Sequence, residues 1–307
     1  MWKNIVAWFD NQPYRSQHAC EKSPKSVELI RVIPFVVTHM ACLGVIWVGV
    51  SWIAVAVCTA LYVLRMFAIT AFYHRYFSHK AFKTTRIAQF IFALLGASAA
   101  QRGPLWWASH HRHHHVHSDA PEDVHSPRQQ GFWWSHLAWF LVNQNFHTNP
   151  ALVKELMHYR ELRFLDRFDS LIPILLIVTL FQLGGWLENA FPQWHTSSWQ
   201  MVVWGYAIST VMLYHMTFTV NSLAHVWGKR RYATKDDSRN NWLIAIATLG
   251  EGWHNNHHHF PGSARQGFFW WELDFTYYGL KLLAACRVIW DLRPVPSSKL
   301  HQHLIGS

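Results

Sequence analysis

The 307-residue chain is 51% hydrophobic and 16% aromatic but only 14% charged, a balance that argues against a soluble protein and for a membrane one. Its formal net charge of +10, with no DNA- or RNA-binding motif in view, suits anionic lipid headgroups, a phosphate-bearing substrate or an acidic partner. The four cysteines, Cys20, Cys42, Cys58 and Cys286, form no CxxC pair, which supports neither a zinc ribbon nor a disulfide framework.

At the start, MWKNIVAWF sets Trp2, Ile5, Val6 and Phe9 at helical spacing, as an interfacial amphipathic helix would. No cleavable signal peptide is visible. Residues 32–64 contain no Lys, Arg, Asp or Glu and are too long for one ordinary globular helix. A break near Gly49-Val50-Ser51 divides them into two spans. Leu171 to Ala190 and Trp199 to Val220 follow, each near the roughly 20 residues that cross a hydrocarbon core. The expected fold is therefore an all-α membrane protein with four transmembrane helices in two hairpins. None of the 27 Lys and Arg residues falls in 32–64 or 171–220, so the positive-inside rule turns both termini and every long loop to the cytoplasm. The expected layout is an N-terminal segment (1–31), a first hairpin (32–73), a cytosolic portion (74–170), a second hairpin (171–220) and a second cytosolic portion (221–307).

Chemistry should sit in the cytosolic portions, where histidines cluster as HRYFSH (His74, His79), HHRHHH (His110 to His115) and HNNHHH (His254, His257, His258, His259). On an α-helix, positions i, i+3 and i+4 share a face, so HxxHH directs three imidazoles toward one point. The middle cluster satisfies this in two registers, His110-His113-His114 or His111-His114-His115. The third has one, His254-His257-His258. In NSLAH, Asn221 and His225 stand at i, i+4 where the last span enters the cytoplasm. His74 and His79, five apart, fall about 140° around an α-helix, too far for one tight face, so they could serve two neighbouring ions. Nine imidazoles plus Asn221 exceed one tetrahedral zinc and suit a dinuclear site.

Imidazole leaves the metal open among zinc, copper, iron and nickel. Position narrows it, because QFIFALLGASAA and the tryptophan-rich stretches beside the clusters can wall a cavity for a long alkyl chain. An unactivated C–H bond offers neither an acidic proton nor a carbonyl, so iron with O₂ is the fitting choice.

HRYFSHKAF, WASHHRHHHVHSD with GFWWSH, NSLAH and GEGWHNNHHHFPG together resemble the motifs of the membrane fatty-acyl desaturases, the stearoyl-CoA desaturase family, over residues 35–295. The resemblance implies four transmembrane helices under a helical cytosolic cap that houses a di-iron centre. It maps the middle box after Trp107-Ala108 and so selects His111, His114 and His115. One iron would take His74, His111, His254 and His257, with Asn221 through a water; the other would take His79, His114, His115, His225 and His258. The implied reaction uses O₂ and two electrons from a ferredoxin-, rubredoxin- or cytochrome b5-like donor to leave a cis double bond, usually at position nine. Stretches such as VIWDLRPVPSSKL resemble the bacterial branch, which points to the bacterial cytoplasmic membrane. Ser109 and His110 replace the Arg-Asp pair by which the animal enzymes recognise the CoA headgroup. A long-chain acyl-CoA is the favoured substrate and a phospholipid acyl chain the alternative. Trp107, Gln101 and Arg102 are the expected substrate contacts.

Rival readings are an alkane or carotenoid hydroxylase and a metal transporter or sensor. A transporter would need polar groups along its spans, which carry little beyond His39, His215 and Glu188. His39 and His215 read as hydrogen-bonded packing residues. His110, His113, His117, His125, His136 and His259 read as neighbours that orient the ligands or face water. Asp119, Glu122 and Asp123, in a turn with Pro121, read as a solvated loop.

Overall fold

The computed structural model describes residues 5, 6, 8–11, 27 and 29–305. Trp2 of the N-terminal amphipathic stretch and Cys20 lie outside these residues. Among them the protein is helical, with one two-residue antiparallel pairing, β1 (Lys83–Thr84) to β2 (Ile289–Trp290).

Four helices are long and apolar enough to cross a membrane: α1 (Leu29–Val48), α2 (Trp52–Ser78), α6 (Leu171–Ala190) and α7 (Ser198–His225). Between α1 and α2 the chain turns at Gly49, whose φ of +66° favours glycine. Ser51 then caps α2 by accepting from the Ala54 amide. At the same end of the bundle, Ser51 Oγ and Thr196 Oγ1 share a hydrogen bond of 2.8 Å that ties the two hairpin turns together. Both α1 and α6 pack against α7.

Among the described residues the longer of the remaining helices form the cap: α3 (Arg86–Ala97), α4 (Pro104–His117), α5 (Arg160–Arg167), α8 (Trp242–Ala247), α9 (His254–His259) and α10 (Phe275–Ala285). Pro104 opens α4 at a position where no amide donor is needed. The free Trp106 amide of that first turn donates to Asp166 Oδ1 of α5 at 2.7 Å, which fixes the histidine helix to its neighbour. Gly96 of α3 lies so close to α2 that an added Cβ would stand 2.0 Å from Tyr73 Cε1.

Two features of α2 and α7 position the site. The first histidine box does not begin a separate cap segment at residue 74, because α2 runs unbroken to Ser78; likewise α7 carries Asn221 and His225 at its end. From Ala68 to Ser78, moreover, α2 is π-helical, a form found mostly at functional sites.

Candidate metal centre

Nine imidazoles converge in two groups: His74, His79, His111, His115 and His257 in one, His114, His225, His254 and His258 in the other. These are the nine histidines of the boxes, but their division differs from the expected one. His79 and His115 join His74, and His254 joins His225 and His258.

Local backbone geometry explains both changes. In the π-helical turn the His79 amide donates to the His74 carbonyl, five residues back. Residues five apart therefore lie one above the other, and the two rings sit 4.9 Å apart; the α-helical angle of about 140° does not apply. In each HxxHH box, i and i+4 are only about 40° apart around an α-helix, while i+3 departs to the other side by about 60° from i. Hence His111 and His115 share one group and His114 turns to the other; His254 and His258 share the second and His257 turns to the first. The boxes do not aim three rings at one point; each divides two and one.

The register is His111-His114-His115. His110 instead packs on Trp106, with ring centroids 4.5 Å apart, and His113 on His117 at 4.6 Å. His259 stacks on Tyr232 at 3.9 Å. Within the spans His39 Nε2 meets His215 Nε2 at 3.3 Å, the packing contact expected of them. His215 in turn meets His136 at 3.1 Å.

Carboxylates hold the rings from outside. His114 Nδ1 lies 2.9 Å from Asp123 Oδ2, His225 Nδ1 2.9 Å from Asp119 Oδ2 and His258 Nδ1 2.7 Å from Asp236 Oδ2. Glu251 bridges His74 Nδ1 and the Arg75 guanidinium. Asp119 and Asp123 are thus buried partners of ligands, which corrects the expectation of a solvated loop; only Glu122 of that trio is exposed. The turn folds inward because backbone and side-chain donors complete both carboxylates. Asp123 also accepts from the amides of Asp119 and His125, and Asp119 from Ser126 Oγ and the Asp237 amide. His125 packs on the His114 ring at 4.3 Å.

A carboxylate at Nδ1 places the proton there and leaves the Nε2 lone pair facing the group. The Nε2 atoms do converge: His74 to His257 at 3.0 Å, His257 to His115 at 2.9 Å, His79 to His111 at 2.7 Å and His225 to His254 at 3.0 Å. Nitrogens about 2.1 Å from one ion and at right angles lie about 3.0 Å apart, so these spacings match edges of a coordination shell. His258 Nε2 is buried without a hydrogen-bond partner, which suits an atom that ligates an ion. The donor set therefore fits two metal ions, one to each group.

Burial and the neighbouring imidazoles hold His79, His111, His115, His254 and His257 well below the ordinary histidine value. His114 moves up: burial opposes this, and the Asp123 carboxylate outweighs it. Asp119, Asp123 and Asp236 lie far below the usual carboxylate range; burial opposes this, and their histidine partners prevail. Below about pH 6.5 the unfolded chain takes up protons that the five depressed imidazoles refuse. Stability of the metal-free protein is therefore full above that pH and declines below it. Thermal unfolding of metal-free protein in detergent at about pH 7.5 and about pH 5.5 should show the lower Tm at the acid value. Equal Tm values would contradict a neutral buried cluster.

A cavity of about 540 Å³ reaches His74, His111, His114 and His254. Gln101, Arg102, Trp107 and Asn221 line it as well. Trp107 stacks on His111 at 5.0 Å, Gln101 Nε2 donates to Thr217 Oγ1 at 2.7 Å, and Arg102 pairs with Asp169 at 3.2 Å.

Comparison with known proteins agrees with this geometry. The fatty acid desaturase family profile matches residues 50–285. A chloroplastic palmitoyl-monogalactosyldiacylglycerol delta-7 desaturase of Arabidopsis thaliana is 41% identical over 77% of this chain and 60% of its own length. An sn-2 palmitoyl-lipid 9-desaturase of Nostoc sp. (strain 36) is 37% identical over 83% of this chain and 86% of its own. An acyl-CoA C20 Delta5-desaturase of Anemone leveillei is 39% identical over 74% of this chain and 69% of its own. With a match over most of its length and these relatives, the chain belongs to the fatty acid desaturase family.

Proposed function

We propose that the protein is an O₂-dependent desaturase that forms a cis double bond, at the ninth position, in a long saturated acyl chain. The observation that carries this reading is the continuity of one largely apolar cavity with both histidine groups. His74, His79, His111, His115 and His257 would hold one iron and His114, His225, His254 and His258 the other, and Asn221, on the wall of the same cavity, would bind through a water. When bound, iron supplies the activation of O₂ and the hydrogen abstraction that no side chain can perform on a methylene.

The chain's own residues do the rest. Trp107, stacked on His111, presses the alkyl chain against the metal side of the cavity. Gln101, tethered to Thr217, and Arg102, held by Asp169, shape the approach to it. Asp119, Asp123, Asp236 and Glu251 keep their histidine protons on Nδ1. The balance is one saturated chain, O₂, two electrons and two protons to one cis-monoene and two waters, with the electrons from a small redox protein. The carrier of the chain is a CoA thioester, favoured from sequence, or a membrane lipid, the substrate named for two of the relatives above. A cytoplasmic membrane setting with both termini inside completes the reading.

The test is expression in a desaturase-deficient host, followed by gas chromatography and mass spectrometry of derivatised fatty acids. A new cis-monoene with its bond at the ninth carbon is the expected product. Hydroxylated or unchanged chains would overturn the reading.

A further inference from the structure

The cavity does not serve the metal centre alone. Its lining includes Gln101, Trp107 and the histidines of the cap, with Arg31 and Arg102. It also extends onto three membrane-spanning helices, Val37 and Ala41 of α1, Ile174 and Ile177 of α6, Val203 and Tyr206 of α7, a stretch that forms a second limb away from the histidines. This limb is open along its side: Val37 is 57% and Ile174 38% exposed, on helices whose composition places them in lipid.

Its dimensions fit a membrane leaflet. Ten residues separate Arg31 from Ala41 on α1, about 15 Å at helical rise, which is half the roughly 30 Å hydrocarbon core. The charged side chains at its upper end, Arg31 near the start of α1 and the Arg102–Asp169 pair just before α6, suit the level of lipid headgroups. A lipid that sends one chain to the metals must place its other chain in an apolar path beginning at the same level. A CoA thioester has a single chain and a polar remainder, and nothing in it matches an apolar limb within the membrane.

We propose that the groove between α1, α6 and α7 holds the companion chain of a two-chain membrane lipid whose other chain extends to the histidines, so that the substrate is a diacyl lipid of the bilayer. This rests on the desaturase reading and names its substrate class.

The test uses the purified, iron-loaded full chain with a chemical or protein reductant. It is offered distearoylphosphatidylglycerol vesicles, the one-chain stearoyl-lysophosphatidylglycerol, and stearoyl-CoA. Diacyl lipid should be desaturated, and Ala41→Trp, which fills the groove, should lower the ratio of diacyl to one-chain turnover about tenfold. Ile177→Trp, from the opposite wall, should act alike and stands in if the first variant misfolds. Turnover of the one-chain or CoA substrate without the diacyl lipid would overturn the proposal and leave the desaturase reading standing. An unchanged ratio in both variants would also overturn it. No turnover from any carrier would sink the desaturase reading itself, and the proposal with it.

Discussion

Replacing His111, His254 or His258 by Ala should abolish desaturation and lower bound iron, whereas His39→Ala should leave both nearly intact. His111 belongs to the five-histidine group and His254 and His258 to the four-histidine group, so the three variants sample both ions. Each removes a donor that no neighbour can replace, because the surrounding imidazoles already converge at 2.7 to 3.0 Å. The loss should exceed the roughly 100-fold in affinity or activity that outer partners of a metal can cost. His39 meets the Phe35 carbonyl and His215 and packs on the Phe35 and Tyr214 rings, outside both histidine groups, and losing its hydrogen bonds should cost about 1 kcal/mol of stability. Metal analysis per chain, alongside product analysis, reads both effects. Full activity and full iron in the three ligand variants would remove the metal assignment.

What could be read from the sequence was what depends on composition and on residue type. Long apolar runs without Lys or Arg gave α6, most of α1 and α7 and about half of α2, since runs of that length match a hydrocarbon core. The nine histidines were legible because HxxHH, NSLAH and HxxxxH are improbable as surface decoration. Their division between the ions was not legible, because it depends on backbone form. A π-helical turn looks like any other in sequence, and it alone brings His74 and His79 together. The carboxylates were hidden for a different reason. Asp119 and Asp123 stand in a Pro-containing turn of the kind that usually faces water, and Asp236 lies 22 residues from His258, so only the tertiary fold reveals the pairing. One local signal was available: Asp119 and Asp123 are four apart immediately after the densest histidine run, as acceptors for that run would be.

Asp123→Ala and Asp119→Ala should each empty the four-histidine group while the five-histidine group stays loaded. His114 and His225 are the only members of the centre these two carboxylates contact through Nδ1, and both belong to the four-histidine group. Removing the carboxylate leaves a buried Nδ1–H unsatisfied, at about 1–3 kcal/mol, and frees the ring to turn its lone pair away. A fall of about 10- to 100-fold in affinity at that group follows, so at limiting iron the chain should hold one ion in place of two, and desaturation should fail. Asp119→Asn, which keeps an oxygen acceptor, should retain more iron than Asp119→Ala. The alternative is that the two carboxylates act through the fold, since Asp119 also binds Ser126 and the Asp237 amide. In that case both ions would be lost together and Asn would rescue neither. Selective loss of one ion is the outcome that only a carboxylate acting through its histidine can give.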